Sequence, residues 1–149
     1  NTDLEQKELY DRVDDAVCAV RSALLEGILP GGGLALYSFY QKYNDKSNSN
    51  DLSGAKKIAS AILAEALRAP IAQILTNAGL NLDDIYDKED TLAYTRGYDV
   101  KNGVYGDMYK MGIIDPMKVT KTALQNAVSV AITILSTNAI VTMARSYES

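Results

Sequence analysis

The sequence EGILPGGGLAL at residues 26–36 separates two apolar segments and decides how the chain folds. Three consecutive glycines, Gly31 to Gly33, stand between these segments, and Gly27 directly follows the first of them. Glycine adopts positive φ angles readily and lets another helix or a ligand come close to the backbone. The stretch therefore predicts a tight corner between two helices, the first of which ends at Gly27.

Upstream of this corner, apolar residues recur three and four positions apart. Leu9, Val13 and Val17 belong to one stripe, which predicts an amphipathic helix from Leu4 to Leu25. Cys18 lies near this stripe, and we expect it to be a small core residue and not a nucleophile.

The residues directly after the corner predict a short helix and a loop. The apolar run from Leu34 to Tyr40 is expected to be helical. The polar residues 41–50, rich in asparagine and serine, are expected to form a surface loop.

Further helices are predicted between this loop and Tyr86. One begins near Asp51 or Ser53, and Pro70 is expected to interrupt it, because proline lacks the N–H that a helix interior requires. A further helix is predicted over 70–78, and a short helical turn capped by Asn81 should follow it.

The last third of the chain changes character. Tyrosines and glycines alternate over 91–110, which predicts a short β-ribbon with a tight loop at 101–103. Asp115 as N-cap and Pro116 as first helical residue are expected to open a last, largely buried helix. The β-prone residues 139–143 predict a terminal strand. The expected fold is mostly α-helical with a small β-ribbon and a C-terminal strand.

The composition excludes several kinds of active site. Histidine is absent, which excludes a Ser-His-Asp triad, a Cys-His dyad and a histidine-ligated zinc ion within these 149 residues. Cys18 is the single cysteine, so an internal disulfide is excluded and a reducing compartment is favoured. The net charge of −4 argues against nucleic acid, and no run approaches the roughly 18 apolar residues of a membrane span.

The beginning of the chain carries its own expectation. Asn1 opens a strongly charged segment that lacks the apolar core of a signal peptide. Because this segment has a helical pattern and does not start with methionine, we expect the chain to be a processed product or an excised fragment. Its length is that of one ordinary domain.

Each feature that could carry chemistry also has a structural explanation. The glycine triplet could meet an anion or be a packing corner, and it is not a loop of the GxxxxGK[ST] type. Asp15 could hold Mg²⁺ through water or position a nucleophilic water, or it could belong to a solvated helix face. Asp115 could accept hydrogen bonds from a ribose or act only as an N-cap. The Tyr/Gly segment could clamp a base or form a ribbon packed on helices.

Three segments, in chain order, resemble the GroEL-type group I chaperonins. The first joins Arg12-Val13-Asp14-Asp15-Ala16 to the glycine corner at 26–36. The second runs from Gly97-Tyr98-Asp99 to Tyr105-Gly106-Asp107-Met108. The third is Gly112-Ile113-Ile114-Asp115-Pro116-Met117, which continues to Ser136-Thr137. The likeness covers nearly the whole chain with compatible spacing.

The resemblance implies a division of the chain and a setting for it. Residues 1–26 would end a small intermediate domain, and residues 27–149 would form the C-terminal half of an equatorial, ATP-binding domain. The family's Gly-Asp-Gly-Thr-Thr phosphate loop, its Mg²⁺-binding aspartate and its apical domain lie outside this match. The implied cofactor is ATP or ADP with Mg²⁺, whose ligand would come mainly from the missing N-terminal half.

The resemblance also implies partners and a location. The partners are the other subunits of a chaperonin ring and, through the apical domain, a co-chaperonin and unfolded proteins. Neither nucleic acid nor a membrane is expected as a partner. The implied location is the bacterial cytoplasm.

The same resemblance assigns a role to individual residues. Asp15 matches the carboxylate that activates the attacking water in ATP hydrolysis. Gly31 and Gly32 match the glycines whose backbone meets the nucleotide. Ile113 matches an apolar contact to adenine, and Asp115 matches the carboxylate that binds the ribose.

The residues beside the base depart from the family pattern. Asp99, Val100 and Lys101 align with a stretch that resembles Asn-Ala-Ala. Asp99 lacks the amide donor of that asparagine, and Lys101 is much larger than the small residue it replaces. No residue of this chain is assigned as a metal ligand.

The sequence therefore predicts the ATP-binding and ring-assembling base of a folding chaperonin. The full-length protein would be an ATPase, and the isolated chain would not hydrolyse ATP. The alternative is a non-enzymatic helical scaffold or adaptor, whereas a metal-dependent carboxylate enzyme would need Asp14, Asp15, Asp83 and Asp84 to converge. All of the chaperonin roles require that the glycine corner and Asp115 lie against each other.

Overall fold

The computed structural model describes residues 2–47, 54–86 and 94–139, and these residues form five helices and four short strands. The fold is mostly α-helical, as predicted. The elements in chain order are α1 (Asp3–Glu26), β1 (Ile28–Pro30), α2 (Leu34–Ser47), α3 (Ala55–Asn77), α4 (Leu82–Tyr86), β2 (Arg96–Asp99), β3 (Val104–Asp107), β4 (Ile114–Pro116) and α5 (Met117–Leu135).

Helix α1 is one residue longer at each end than predicted, and it ends just before the predicted glycine, Gly27. The backbone N–H of Thr2, the N-cap, donates to Glu5 Oε2 at 3.1 Å. Gly27 follows the helix with φ of 89°, a value that L side chains rarely adopt. The prediction that Cys18 is a core residue was wrong, because its side chain is exposed on α1.

Two boundaries in the helical hairpin differ from the prediction. Residues 41–47 belong to α2 and are not a loop. Helix α3 passes through Pro70 without a break, and its buried residues are Ala64, Leu67, Ile71 and Leu75. Because these four residues recur on one buried face and two of them, Ile71 and Leu75, belong to the core cluster, tertiary packing outweighs the lost hydrogen bond.

By length and hydropathy alone, α3 is the one described helix that could also cross a membrane. In the structure it packs along α2, and Arg68 on its surface forms an ion pair with Asp83 of α4. A core helix of a soluble protein passes the same length and hydropathy test.

A two-stranded antiparallel sheet, which the sequence did not predict, joins the glycine corner to the end of the ribbon region. Strand β1 pairs with β4 so that Leu29 lies opposite Asp115. The pairing is extended by Gly31 N–H, which donates to the carbonyl of Ile113 at 2.9 Å. The expectation that the glycine corner and Asp115 lie against each other is confirmed.

The start of α5 lies one residue later than predicted. Pro116 is the N-cap, with φ of −66° and ψ of 126°, and Met117 is the first helical residue. Asp115 is therefore not the N-cap, because its backbone is held in β4 opposite Leu29.

The β-ribbon forms as predicted. Strands β2 and β3 are antiparallel with Tyr98 opposite Tyr105, and the turn between them includes residues 101–103. Gly97 lies so close to Met108 that an added Cβ would be 2.9 Å from the sulfur atom. Because Met108 belongs to the core, this contact packs the ribbon against the core.

The core lies between α2, α3, α4 and the ribbon, and α5 is outside it. The buried core residues are Leu34, Tyr37, Ile71, Leu75, Leu82, Tyr86 and Met108. The prediction that α5 is largely buried was wrong for this chain: no residue of α5 is buried by the described residues, and Ile132 is 61% exposed. The reason is that α5 packs mainly on α1, where Lys121 pairs with Glu26.

The strand predicted at 139–143 falls, apart from Ala139, outside the described residues.

Gly33 provides a test of how closely the corner approaches α3. Its φ is 78°, and an added Cβ would lie 2.9 Å from the backbone nitrogen of Ile71. We expect Gly33→Ala to lower the free energy of unfolding by about 2–4 kcal/mol, since both a left-handed φ and a backbone clash oppose it.

Gly79→Ala is the matched control, because Gly79 has φ of 74° but no described atom within 4 Å of an added Cβ. It should cost only about 1 kcal/mol. The measurement is urea unfolding followed by circular dichroism. Equal losses in the two variants would contradict the close approach.

Candidate functional site

A pocket of about 240 Å³ lies between the glycine corner, α3, α4 and the ribbon. Five of the residues predicted to bind the cofactor line it, namely Gly32, Asp99, Val100, Lys101 and Ile113. The other lining residues are Ile71, Ile74, Leu75, Tyr86, Tyr98 and Met108. Most of this wall is apolar or aromatic, which is the usual character of a small-molecule site.

Backbone conformation brings Gly32 to the pocket wall. Its φ is 64°, and an added Cβ would lie 3.3 Å from the terminal methyl of Met108. Met108 in turn is bound to the ribbon region, because its N–H donates to the carbonyl of Thr95 at 2.8 Å. The Ile113 N–H donates to the Met108 carbonyl at 2.9 Å, so one short chain of hydrogen bonds positions both apolar side chains.

The Asp99 carboxylate closes the ribbon turn. Its Oδ1 accepts from the backbone N–H groups of Lys101 at 2.9 Å and Asn102 at 3.3 Å. Its Oδ2 accepts from the side-chain amide of Asn102 at 2.6 Å. These hydrogen bonds, that of the Asn102 side chain first, lower the pKa of Asp99 below its ordinary value of 3.8. Asp99 is therefore an ionised turn residue at the edge of the pocket.

Tyr86 and Tyr98 form the aromatic side of the pocket, and Tyr98 belongs to the Tyr/Gly segment that could clamp a base. The Tyr98 N–H donates to the Tyr86 hydroxyl at 3.0 Å, which ties the ribbon to α4. The ring of Tyr86 lies 5.2 Å from that of Tyr37 and 5.8 Å from that of Tyr105. Burial raises the pKa values of Tyr37, Tyr86 and Tyr105, so these hydroxyls stay protonated at neutral pH. The alternation of tyrosine and glycine is the signal that marked Tyr98.

Gly31 and Asp115 lie beside this pocket and do not line it. An added Cβ on Gly31 would be 3.1 Å from the backbone of Ile113, so the glycine permits the approach of two chain segments. Asp115 lines a neighbouring groove of about 530 Å³ between α3 and α5. Burial raises the pKa of its carboxyl group. Ile74 lines both cavities, which makes them neighbours across α3.

Asp15 is exposed on α1 and lines neither of these cavities. The nearest apolar groove on its own helix is lined by Arg12, Val13, Ala16 and their neighbours on the same face. In the part of the chain that the structure describes, no three carboxylate or cysteine side chains gather into a group that could hold a metal ion.

Comparison with known proteins defines the family. The model of the TCP-1/cpn60 chaperonin family matches residues 1–145, so this chain belongs to that family. The crystal structure of a group III chaperonin in the open state is similar, with a TM-score of 0.70 and 30% sequence identity. The match covers 80% of this chain and 25% of that one, so this chain spans about a quarter of the solved chaperonin. The prediction of a chaperonin is confirmed, and the assignment to group I stays a prediction.

The turn at Asp99 makes a prediction about pH. Because the pKa of Asp99 is lower in the folded chain, its stabilising effect is fully present above the unfolded-state value and is lost as pH falls through the folded-state value. We expect Asp99→Ala to lower the free energy of unfolding at pH 7. Below about pH 4, the difference in this free energy between the variant and the original chain should become smaller.

Urea unfolding at a series of pH values measures this difference. Asp14→Ala on the exposed surface of α1 is the control and should show no comparable loss at pH 7. A difference for Asp99→Ala that stayed constant down to pH 2 would show that the charge has no part in holding the turn.

Proposed function

We propose that this chain forms the ATP-binding and ring-assembling base of a folding-chaperonin subunit. Residues 1–26 would end the intermediate domain, and residues 27–149 would form the C-terminal half of the equatorial domain. The observation that carries the proposal is the pocket beside the glycine corner, where Gly32, Ile113 and the ribbon residues 99–101, all assigned by the resemblance, meet although they are distant in sequence. The family match and the quarter-length overlap with a solved chaperonin support it.

The pocket is suited to the base of a nucleotide. Ile113 offers an apolar face, and the glycine backbone at Gly32 leaves room for a flat ring to approach. Asp115, on the strand that directly follows Ile113, would accept hydrogen bonds from the ribose hydroxyls. The phosphates and Mg²⁺ would then lie toward the rest of the subunit, which supplies the main metal ligand.

Asp15 would act after a movement of α1. Gly27, with its positive φ, separates α1 from β1, and the contact of α1 with α5 includes the Glu26–Lys121 ion pair. A rotation of α1 about this junction would carry Asp15 toward the γ-phosphate, where a carboxylate can position the attacking water. Hydrolysis would in this way be coupled to movement of the ring.

The exposed apolar faces of α1 and α5 support a role within a larger assembly. Val20 on α1 is 59% exposed and Ile132 on α5 is 61% exposed. Surfaces of this kind are usual at contacts with other chains or domains. Other ring subunits are the proposed partners, and a co-chaperonin and unfolded proteins would bind through the apical domain in the cytoplasm.

Within the family, we assign the chain to the group I, GroEL-type chaperonins. The segments that support this are residues 26–36 and 112–117, which resemble that group in order and spacing. The isolated chain would not hydrolyse ATP, because half of the catalytic site belongs to other polypeptide.

Nucleotide binding is tested at Ile113. In the intact subunit, Ile113→Asn should weaken the binding of Mg-ATP at least tenfold, because it places an amide against the apolar face of the base. Isothermal titration measures the affinity. Ile114→Asn is the control, since Ile114 is 45% exposed and does not line the pocket. Unchanged binding by the Ile113 variant would refute this site.

The role of Asp15 has a separate test. In the intact subunit, Asp15→Ala should leave the binding of Mg-ATP within about twofold and reduce turnover by about 10²-fold or more, because it removes the group that positions water. Asp11→Ala, one helical turn away on α1, should turn over normally. Normal turnover by Asp15→Ala would remove Asp15 from the mechanism.

A further inference from the structure

The ring of Tyr86 is held in place by two other tyrosines. Tyr86 is the last residue of α4 and is only 5% exposed. Its ring lies 5.2 Å from the ring of Tyr37 on α2 and 5.8 Å from that of Tyr105 on β3. Both pairs are tilted, by 57° and 60°, which is a favourable geometry for two aromatic rings. This packing restricts the position of the Tyr86 hydroxyl group.

The hydroxyl group connects α4 to one wall of the pocket. It accepts a hydrogen bond from the backbone N–H of Tyr98 at 3.0 Å. Tyr98 and the next three residues all line the pocket, and we call residues 98–101 the ribbon wall. The hydrogen bond from Tyr98 to Tyr86 therefore attaches the ribbon wall to the helical part of the molecule at the first residue of that wall.

The hydrogen bonds of the turn have a different effect. The Asp99 carboxylate accepts from Lys101 and Asn102, and the Asp99 carbonyl accepts from the N–H of Gly103. These bonds give the turn its shape, but they join residues of the ribbon only to each other. They do not set the distance between the ribbon wall and the helices.

The opposite wall of the pocket is held separately. Gly32 and Ile113 lie there, beside the sheet formed by β1 and β4. The ribbon meets the core at Gly97, which packs against Met108. Tyr98 follows directly, so Tyr86 acts on the ribbon at the point where the ribbon leaves the core and becomes a wall of the pocket.

We propose that Tyr86 is a positioning residue for the nucleotide, and that its hydroxyl group holds the ribbon wall in its binding position before the base enters the pocket. This inference rests on the proposed function and concerns the binding step. A wall that is already in position does not have to be ordered by the ligand, which favours binding. Without the hydroxyl group, the Tyr98 N–H would lack an acceptor in a partly buried place, and the ribbon would move until water reaches it.

Tyr86→Phe tests this role, because it keeps the ring and removes only the hydroxyl group. In the intact subunit, it should weaken the binding of Mg-ATP about fivefold and raise KM by about the same factor, since only part of the molecules would have the ribbon wall in position. The kcat should stay within about twofold, because bound nucleotide restores the position of the wall and Asp15 is unchanged. Isothermal titration and steady-state turnover measure these quantities.

Hydrogen exchange provides a readout that does not depend on activity. In the nucleotide-free subunit, peptides that contain Tyr98 should exchange faster in Tyr86→Phe than in the original protein, because the N–H has lost its acceptor. Saturating Mg-ATP should remove most of this difference. Mass spectrometry measures the exchange, and equal exchange in the two nucleotide-free proteins would overturn the inference.

Tyr37→Phe is the matched control. It removes the same group from a tyrosine that is 8% exposed and contacts the Tyr86 ring, but that does not line the pocket. It should leave the affinity, KM and the exchange of peptides that contain Tyr98 unchanged. Equal weakening of Mg-ATP binding in both variants would show a general loss of packing and would overturn the inference.

Two further outcomes separate this inference from the proposed function. Normal binding of Mg-ATP by Tyr86→Phe would overturn the role of Tyr86 and leave the proposed function standing. Failure of the original subunit to bind Mg-ATP would refute the proposed function and this inference with it.

Discussion

The pairing of β1 with β4 is the contact on which the rest of the structure depends. It joins the end of α1 and the start of α2 to the start of α5 through three residues on each strand. Two flanking hydrogen bonds extend it, from Gly31 to Ile113 and from Met117 to Gly27. Because glycine at position 31 has no side chain, the two backbones can come this close.

The pocket is a consequence of this pairing. Gly32 lies two residues after β1, and Ile113 directly precedes β4. The hydrogen bond from Ile113 to Met108 then connects the sheet to the ribbon, whose turn carries Asp99. The cavity thus gains its walls from segments that are distant in sequence but attached to one short sheet.

Local signals predicted the elements well where local chemistry decides the conformation. Gly27 ends α1, Asn81 accepts from the Asp83 N–H at 3.1 Å, and residues 101–103 form the ribbon turn. The prediction failed where distant contacts decide. Pro70 remains helical because its neighbours are buried along α2, and Asp115 is a strand residue because Leu29 lies opposite it.

The site was predictable in the same uneven way. A resemblance brought five residues of the pocket together, and the alternation of tyrosine and glycine marked Tyr98, whereas Tyr86 required the fold, since no motif marks it. Periodicity predicted a buried α5, yet no residue of α5 is buried by the described residues. An apolar stripe predicts that a face is covered, but it does not say by what.

The strand partners Pro30 and Ile114 are more than eighty positions apart in the chain. Closing so large a loop costs conformational entropy, and this cost comes before the strand contacts contribute any stabilising free energy. Pairings of this kind therefore form late in folding. During synthesis, the glycine corner leaves the ribosome long before its partner strand exists. Helices α2 and α3 can associate in that interval, whereas the cavity can form only after the ribbon and β4 have been translated.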